Sequence, residues 1–124
     1  MKYLDEVRKL NLPKDKFAIA GSGPLAIRKL RENNDIDILV KSDLWKKLSK
    51  KYKVNNNNSI KIGNIEIFRK SIPDISDVDE IINDAEIIEG IPFVRLETIF
   101  KLKKLRNRKK DQKDIKLIEK YWKV

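Results

Sequence analysis

Asp35 and Asp37 stand two residues apart in the apolar run 35–40 (DIDILV). On a strand that spacing points both carboxylates to one face and Ile36 and Ile38 to the other. Two adjacent carboxylates repel one another and are costly without a counterion. A divalent cation resolves the repulsion, and carboxylates that bridge ions ~3.5–4 Å apart serve phosphoryl transfer. Glu66 has the same apolar-acidic-apolar setting in Ile65-Glu66-Ile67. It supplies a third carboxylate if its strand lies beside 35–40; otherwise it is an exposed acid on an amphipathic strand. Gly21-Ser22-Gly23 lies between an apolar run and Pro24, which suits a first helical position. Its glycines let a phosphate approach the backbone, its N–H groups favour negative charge, and Ser22 adds a hydroxyl.

The composition narrows the chemistry that can accompany these residues. The chain has 124 residues, no Cys and no His. Thiol catalysis, disulfides, Cys/His zinc sites and a Ser-His-Asp triad are excluded. Acid-base or metal chemistry rests on Asp, Glu, Lys or Tyr, and carboxylate ligation favours Mg²⁺ or Mn²⁺. The length fits one domain spanning 1–124. No apolar run approaches the ~20 residues of a membrane span, so no membrane partner is expected. Met1-Lys2-Tyr3-Leu4-Asp5-Glu6 lacks the apolar stretch of a signal peptide, which makes a cytoplasmic location the default.

The elements that must position these groups follow from periodicity and turn residues. Residues 2–11 read as an amphipathic helix that presents Tyr3, Leu4, Val7 and Leu10 and ends before Pro13. The run 16–20 (KFAIA) reads as a buried strand, and a helix from Pro24 should reach about Glu32. After the strand 35–40, Ser42 is placed as the cap of a helix to about Lys51 that buries Leu44, Trp45 and Leu48. The runs 59–62 and 64–69 alternate around Gly63-Asn64, a hairpin signature. Ser76 is placed as the cap of a short helix to about Asp84. Short strands at 85–89 and 91–94 precede helices at about 95–106 and 110–122, separated by Asn107-Arg108-Lys109. The expected fold class is α/β (α+β): a small mixed sheet with helices mainly on one face and a C-terminal helical pair.

The order of these features resembles the nucleotidyltransferase superfamily, which includes DNA polymerase beta, aminoglycoside nucleotidyltransferases and small minimal nucleotidyltransferases. Its pattern is an apolar strand, a Gly-Ser turn, a helix, an Asp-x-Asp strand and a third acid on a later strand. Here these are the run 17–20, Gly21-Ser22, residues 24–32, Asp35-Ile36-Asp37 and Glu66. The tail adds to the likeness with Leu96-Glu97, Lys103 and Arg108-Lys109-Lys110-Asp111-Gln112-Lys113-Asp114-Ile115. The resemblance implies Mg²⁺ held by Asp35, Asp37 and Glu66, with Ser22 and the turn amides on the phosphates of an NTP. It implies attack of an acceptor hydroxyl on the α-phosphate and departure of pyrophosphate. Of Lys103, Arg108 and Lys110, one or two are expected to reach a triphosphate; the alternative is a solvated helix pair in which Lys110-Asp111 and Asp114 simply pair and cap. Pro24 removes one N–H from the phosphate cradle, and Asn33-Asn34 replaces the Ser or Thr that many relatives carry before the first Asp. A large acceptor-binding domain does not fit in this length, so the acceptor requires a shallow cleft, a second subunit as in a homo-oligomer, or a partner protein.

Charge is uneven. The chain carries a net +10, of which the segment 95–124 contributes +8 from 12 basic and 4 acidic residues. Such a segment attracts phosphate on a nucleotide or on nucleic acid. Three functions are therefore expected in descending order. The first is a metal-dependent nucleotidyltransferase with an unidentified acceptor. The second is a non-catalytic nucleotide-binding or toxin–antitoxin-type partner protein. The third is a nucleic-acid-binding module built on the basic C-terminal helices.

Overall fold

The computed structural model describes residues 1–70 and 77–123. The described elements are α1 (Leu4–Leu10), β1 (Phe17–Ala20), α2 (Gly23–Ala26), β2 (Ile36–Val40), α3 (Ser42–Lys51), β3 (Ser59–Ile62) and β4 (Ile65–Phe68). They continue with α4 (Val78–Asn83), β5 (Glu86–Ile88), β6 (Ile91–Phe93), α5 (Leu96–Arg106) and α6 (Lys109–Trp122). The strands form one mixed sheet in the order β3-β4-β2-β1-β6-β5. β2 lies at its centre, antiparallel to β1 and parallel to β4. The mixed α+β architecture is the expected one.

Alternation on the strands divides the core into two layers. Ile36, Ile38 and Val40 of β2 face a cluster with Ile65 and Ile67 of β4, closed over by Val7 of α1 and by Leu44 and Leu48 of α3. Leu39 and Ala18 face the other way, beneath Leu25 of α2, Ile81 of α4, Ile99 of α5 and Ile118 of α6. More helices thus cover the second face, as expected, and α1 and α3 cover the first. Each fully buried aliphatic side chain contributes about 1.5–3 kcal/mol, so the β2 register is strongly set. A one-residue slip would exchange that apolar row for Asp37.

The hairpin expected at Gly63-Asn64 is present, with Ile62 opposite Ile65. Gly63 has φ 58° and Asn64 does not, the pattern of a turn that wants Gly at its first central position. Glu6 of α1 caps this turn by accepting from the Asn64 backbone N–H at 3.1 Å and from its side chain at 2.9 Å.

Three boundaries differ from the sequence reading. The helix expected to run to Glu32 stops at Ala26. Leu30 N–H bonds the Leu25 carbonyl and Lys29 N–H bonds the Ala26 carbonyl, with Lys29 in the left-handed region at φ 62°. This is a Schellman stop with lysine at the position usually held by Gly, which hides it from a search for glycine. Ser42 is the first helical residue of α3 rather than its cap, because the Lys41 N–H still pairs with the Lys16 carbonyl and keeps Lys41 extended. The Ser76 cap lies outside the described residues; within them α4 is capped by Asp77, whose carboxylate accepts from the Asp79 N–H.

Candidate active site

β1 and β4 flank β2 so that Asp37 is opposite Ala20 on one side and Glu66 on the other. All three point away from the layer that holds Ile38, toward α5 and α6. Asp35 lies one residue before β2, exposed at the mouth. Asp35, Asp37 and Glu66 line one cleft of about 470 Å³ together with Gly21, Ser22, Lys103, Arg108 and Lys110. Every expected site residue but Gly23 is therefore brought to the same depression. Among the described residues no group of three or more acids forms a ready-made metal cage, so these carboxylates share a wall rather than a closed ligand set.

The two glycines of the turn have different roles. Gly21 has φ 60°, and a Cβ there would lie 2.5 Å from Asp37 Oδ2. Its bare backbone is the space the Asp37 carboxylate occupies. A Cβ on Gly23 would lie 2.3 Å from Ile19 Cγ2, so that glycine serves packing and is turned away from the cleft. Ser22 lines the cleft, and its hydroxyl makes no capping hydrogen bond. The four residues of α2 supply little dipole, which shifts the attraction of anions to the cationic side chains.

Asn33 controls how the chain approaches Asp35. It is fully buried, and its Nδ2 donates to the carbonyls of Lys2 at 2.9 Å and Asp35 at 3.2 Å, while its Oδ1 accepts from the Lys2 N–H. On the other flank the buried Ser59 donates its hydroxyl to Glu66 Oε2, which fixes that carboxylate beside Asp37. Neither role was expected from the sequence. Polar residues that fall at buried positions of a turn or strand were the available signal.

The acidic wall is short of positive charge. Burial first, and then the charges of Asp35 and Glu66, push Asp37 up to about 6, with Lys103 and Lys110 offsetting part of the rise. A hard divalent cation suits this oxygen-only donor set and would offset the crowding of negative charge around Asp37.

The facing wall belongs to α5 and α6. Asp111, Asp114 and Ile118 fall at i, i+3 and i+7 on the buried side of α6, so two carboxylates occupy the helix's core stripe. Each is paired. Asp114 accepts from Arg31 Nη1 through both oxygens at 3.0 Å and meets Lys103 Nζ at 2.9 Å. Asp111 accepts from Arg108 Nε at 2.8 Å and Nη2 at 3.1 Å, and from the Arg108 backbone N–H at 3.0 Å. Burial alone would raise Asp111; the Arg108 hydrogen bonds and the Lys103 charge outweigh it and hold this carboxyl below its ordinary value.

Of the three cations from which one or two were expected on phosphate, Lys103 and Arg108 are thus held by internal carboxylates. Lys110 lines the cleft and has no salt bridge among the described residues. Arg31 and Arg106 also line the cleft and were not expected there. Arg31, Lys103 and Arg108 outnumber Asp111 and Asp114, so the wall keeps a positive excess. One wall suits a hard cation, and the other suits the anion that such a cation accompanies.

No helix among the described residues is long and apolar enough to cross a membrane. No protein-family model, curated protein or solved structure matches the chain.

Proposed function

We propose that this chain is a metal-dependent nucleotidyltransferase that transfers a nucleoside monophosphate from an NTP to a hydroxyl acceptor. The observation that carries the reading is the pairing of Asp37 with Glu66 across parallel strands, facing a fixed cationic wall over one cleft. Asp35, Asp37 and Glu66 would hold Mg²⁺ or Mn²⁺, and the chemistry such an ion would supply is neutralisation of phosphate charge. Gly21 keeps the turn backbone clear of the Asp37 carboxylate, and Ser22 offers its hydroxyl to a phosphate oxygen. Lys110 and Arg106 meet the triphosphate from the rim, while Arg31, Lys103 and Arg108 form a preset positive field behind them. The acceptor oxygen bonds to the α-phosphorus, the bond to the bridging oxygen breaks, pyrophosphate leaves and the hydroxyl proton passes to solvent.

The test is incubation with Mg²⁺, labelled NTPs and a panel of hydroxyl acceptors, with pyrophosphate release as the readout. Asp37→Ala should reduce release by roughly 10³-fold while the protein stays folded. NTP binding without turnover across a broad acceptor panel would count against the enzymatic reading.

A further inference from the structure

We infer that the acceptor is a single-stranded RNA, held on the outward face of the α5–α6 hairpin with its terminal hydroxyl in the cleft. The acceptor role rests on the nucleotidyltransferase reading; the binding surface does not.

The α5–α6 hairpin turns half of its acids inward. Asp111 and Asp114 are buried and spent on Arg31, Lys103 and Arg108. The remaining acids of the two helices, Glu97 and Glu119, stand near the hairpin's open end. From 98 to 118 the exposed surface therefore carries no carboxylate at all. On α5, Lys101, Lys104 and Arg106 are exposed. On α6, Lys109, Lys113 and Lys116 are exposed at i, i+4 and i+7, and Lys120 continues the same stripe. Among the described residues none of these side chains has a salt-bridge partner. An ordinary solvated lysine-rich helix intersperses acids at i+3 or i+4, and this one has placed its acids inside.

The stripe also has direction. At its closed end Arg106 and Lys110 belong to the cleft rim. About 18 Å along α6, at 1.5 Å per residue, Tyr121 and Trp122 are 43% and 41% exposed between Lys120 and Lys123. The Trp122 ring rests edge-on against Phe100 with centroids 5.0 Å apart, which braces it. Cations that track a phosphate backbone toward exposed aromatic rings are the parts from which single-strand sites are built, because an unpaired base has a face free to stack. Unpaired ends are what RNA commonly presents, and duplexes hide those faces.

The experiment is fluorescence anisotropy of a 5′-labelled single-stranded RNA of about 15 nucleotides with the Asp37→Asn protein, so that binding is read without turnover. Affinity should fall by about 10²-fold between about 50 and 200 mM KCl. K109E/K113E/K116E should weaken binding by a further 10²-fold or about that, while NTP affinity stays within about twofold, since none of the three lines the cleft. Lys113→Gln alone should lower the salt slope by about 1. Tyr121→Ala should weaken binding at least about fivefold with the slope unchanged.

Undiminished binding by the triple variant would overturn the surface. So would equal affinity for poly-glutamate of matching charge, which would point to an acidic protein, or equal affinity for duplex RNA or single-stranded DNA of the same length. RNA that binds through this face yet never receives a nucleotide would overturn the acceptor role and leave the surface standing. Nucleotide transfer to another acceptor by a protein blind to RNA would overturn both the surface and the RNA acceptor and leave the nucleotidyltransferase reading standing.

Discussion

The two walls of the cleft handle charge in opposite ways. On the sheet side, Asp35, Asp37 and Glu66 are assembled at one wall, and burial and the acidic neighbours push Asp37 up to about 6 although Lys103 and Lys110 offset part of the rise. On the helix side, Arg31, Lys103 and Arg108 are each tied to a buried carboxylate. The acidic wall is an unmet requirement for positive charge, whereas the basic wall is already held in place. A site of this kind costs stability where the ligand is to bind and gains rigidity where the ligand is to be oriented.

The contrast between the walls depends most on the counter-charges of the basic wall. Asp114→Ala should destabilise the fold by about 3–5 kcal/mol, because it leaves Arg31 without its carboxylate and Lys103 with only Asp111 at 3.7 Å. Urea unfolding measures this, and a loss below 1 kcal/mol or thereabouts would show that the wall does not depend on its buried acid.

The acidic wall should answer to pH and to metal. The unfolded chain releases the Asp37 proton near 3.8, while the folded chain keeps it to about 6, so the folded state binds more protons within that window. Stability from this group therefore falls as pH rises from about 4 to about 6, with a linked loss on the order of 2 kcal/mol. Metal-free protein should melt at a higher temperature at pH 5 than at pH 7. Asp37→Asn should shrink that difference, and Mg²⁺ at pH 7 should restore the wild type. A pH difference that is the same in wild type and variant would assign it to other groups.

The smallest effect should come from Lys110, a cleft cation that has no salt bridge among the described residues. Lys110→Gln should leave stability within about 0.5 kcal/mol and weaken NTP binding by about tenfold, the worth of one charge-assisted contact. Calorimetric titration against a nonhydrolysable NTP reads this. An unchanged affinity would remove Lys110 from the phosphate site and sharpen the case for the fixed cations.

Much of the acidic wall was legible in the residues themselves. The Asp-x-Asp spacing, the alternation of Ile65-Glu66-Ile67 and the Gly63-Asn64 hairpin all depend on local rules, and the strands that carry them formed within one or two residues of expectation. The basic wall was half legible. Lys103, Arg108 and Lys110 could be picked out by charge, but which of them is held and which is open depends on contacts between distant segments. Arg31 was missed because its partner is 83 residues away. Asn33 and Ser59 were missed because a polar side chain in a loop or strand reads as solvated until burial is known. The run 24–32 was misjudged because Lys29 takes a left-handed conformation that only tertiary contacts reward. The positions of Asp111 and Asp114, in line with Ile118 on the helix's inner stripe, were the one cue to the basic wall that periodicity could have supplied.

The link between Arg31 and Asp114 also sets an order of events during synthesis. As a chain emerges from its amino end, the central strands and their carboxylates are complete long before α6 exists. Through all that time Arg31 has no Asp114 to meet. The second wall cannot close until residue 114 has left the ribosome, so the carboxylates of the first wall are made well before the one that anchors Arg31.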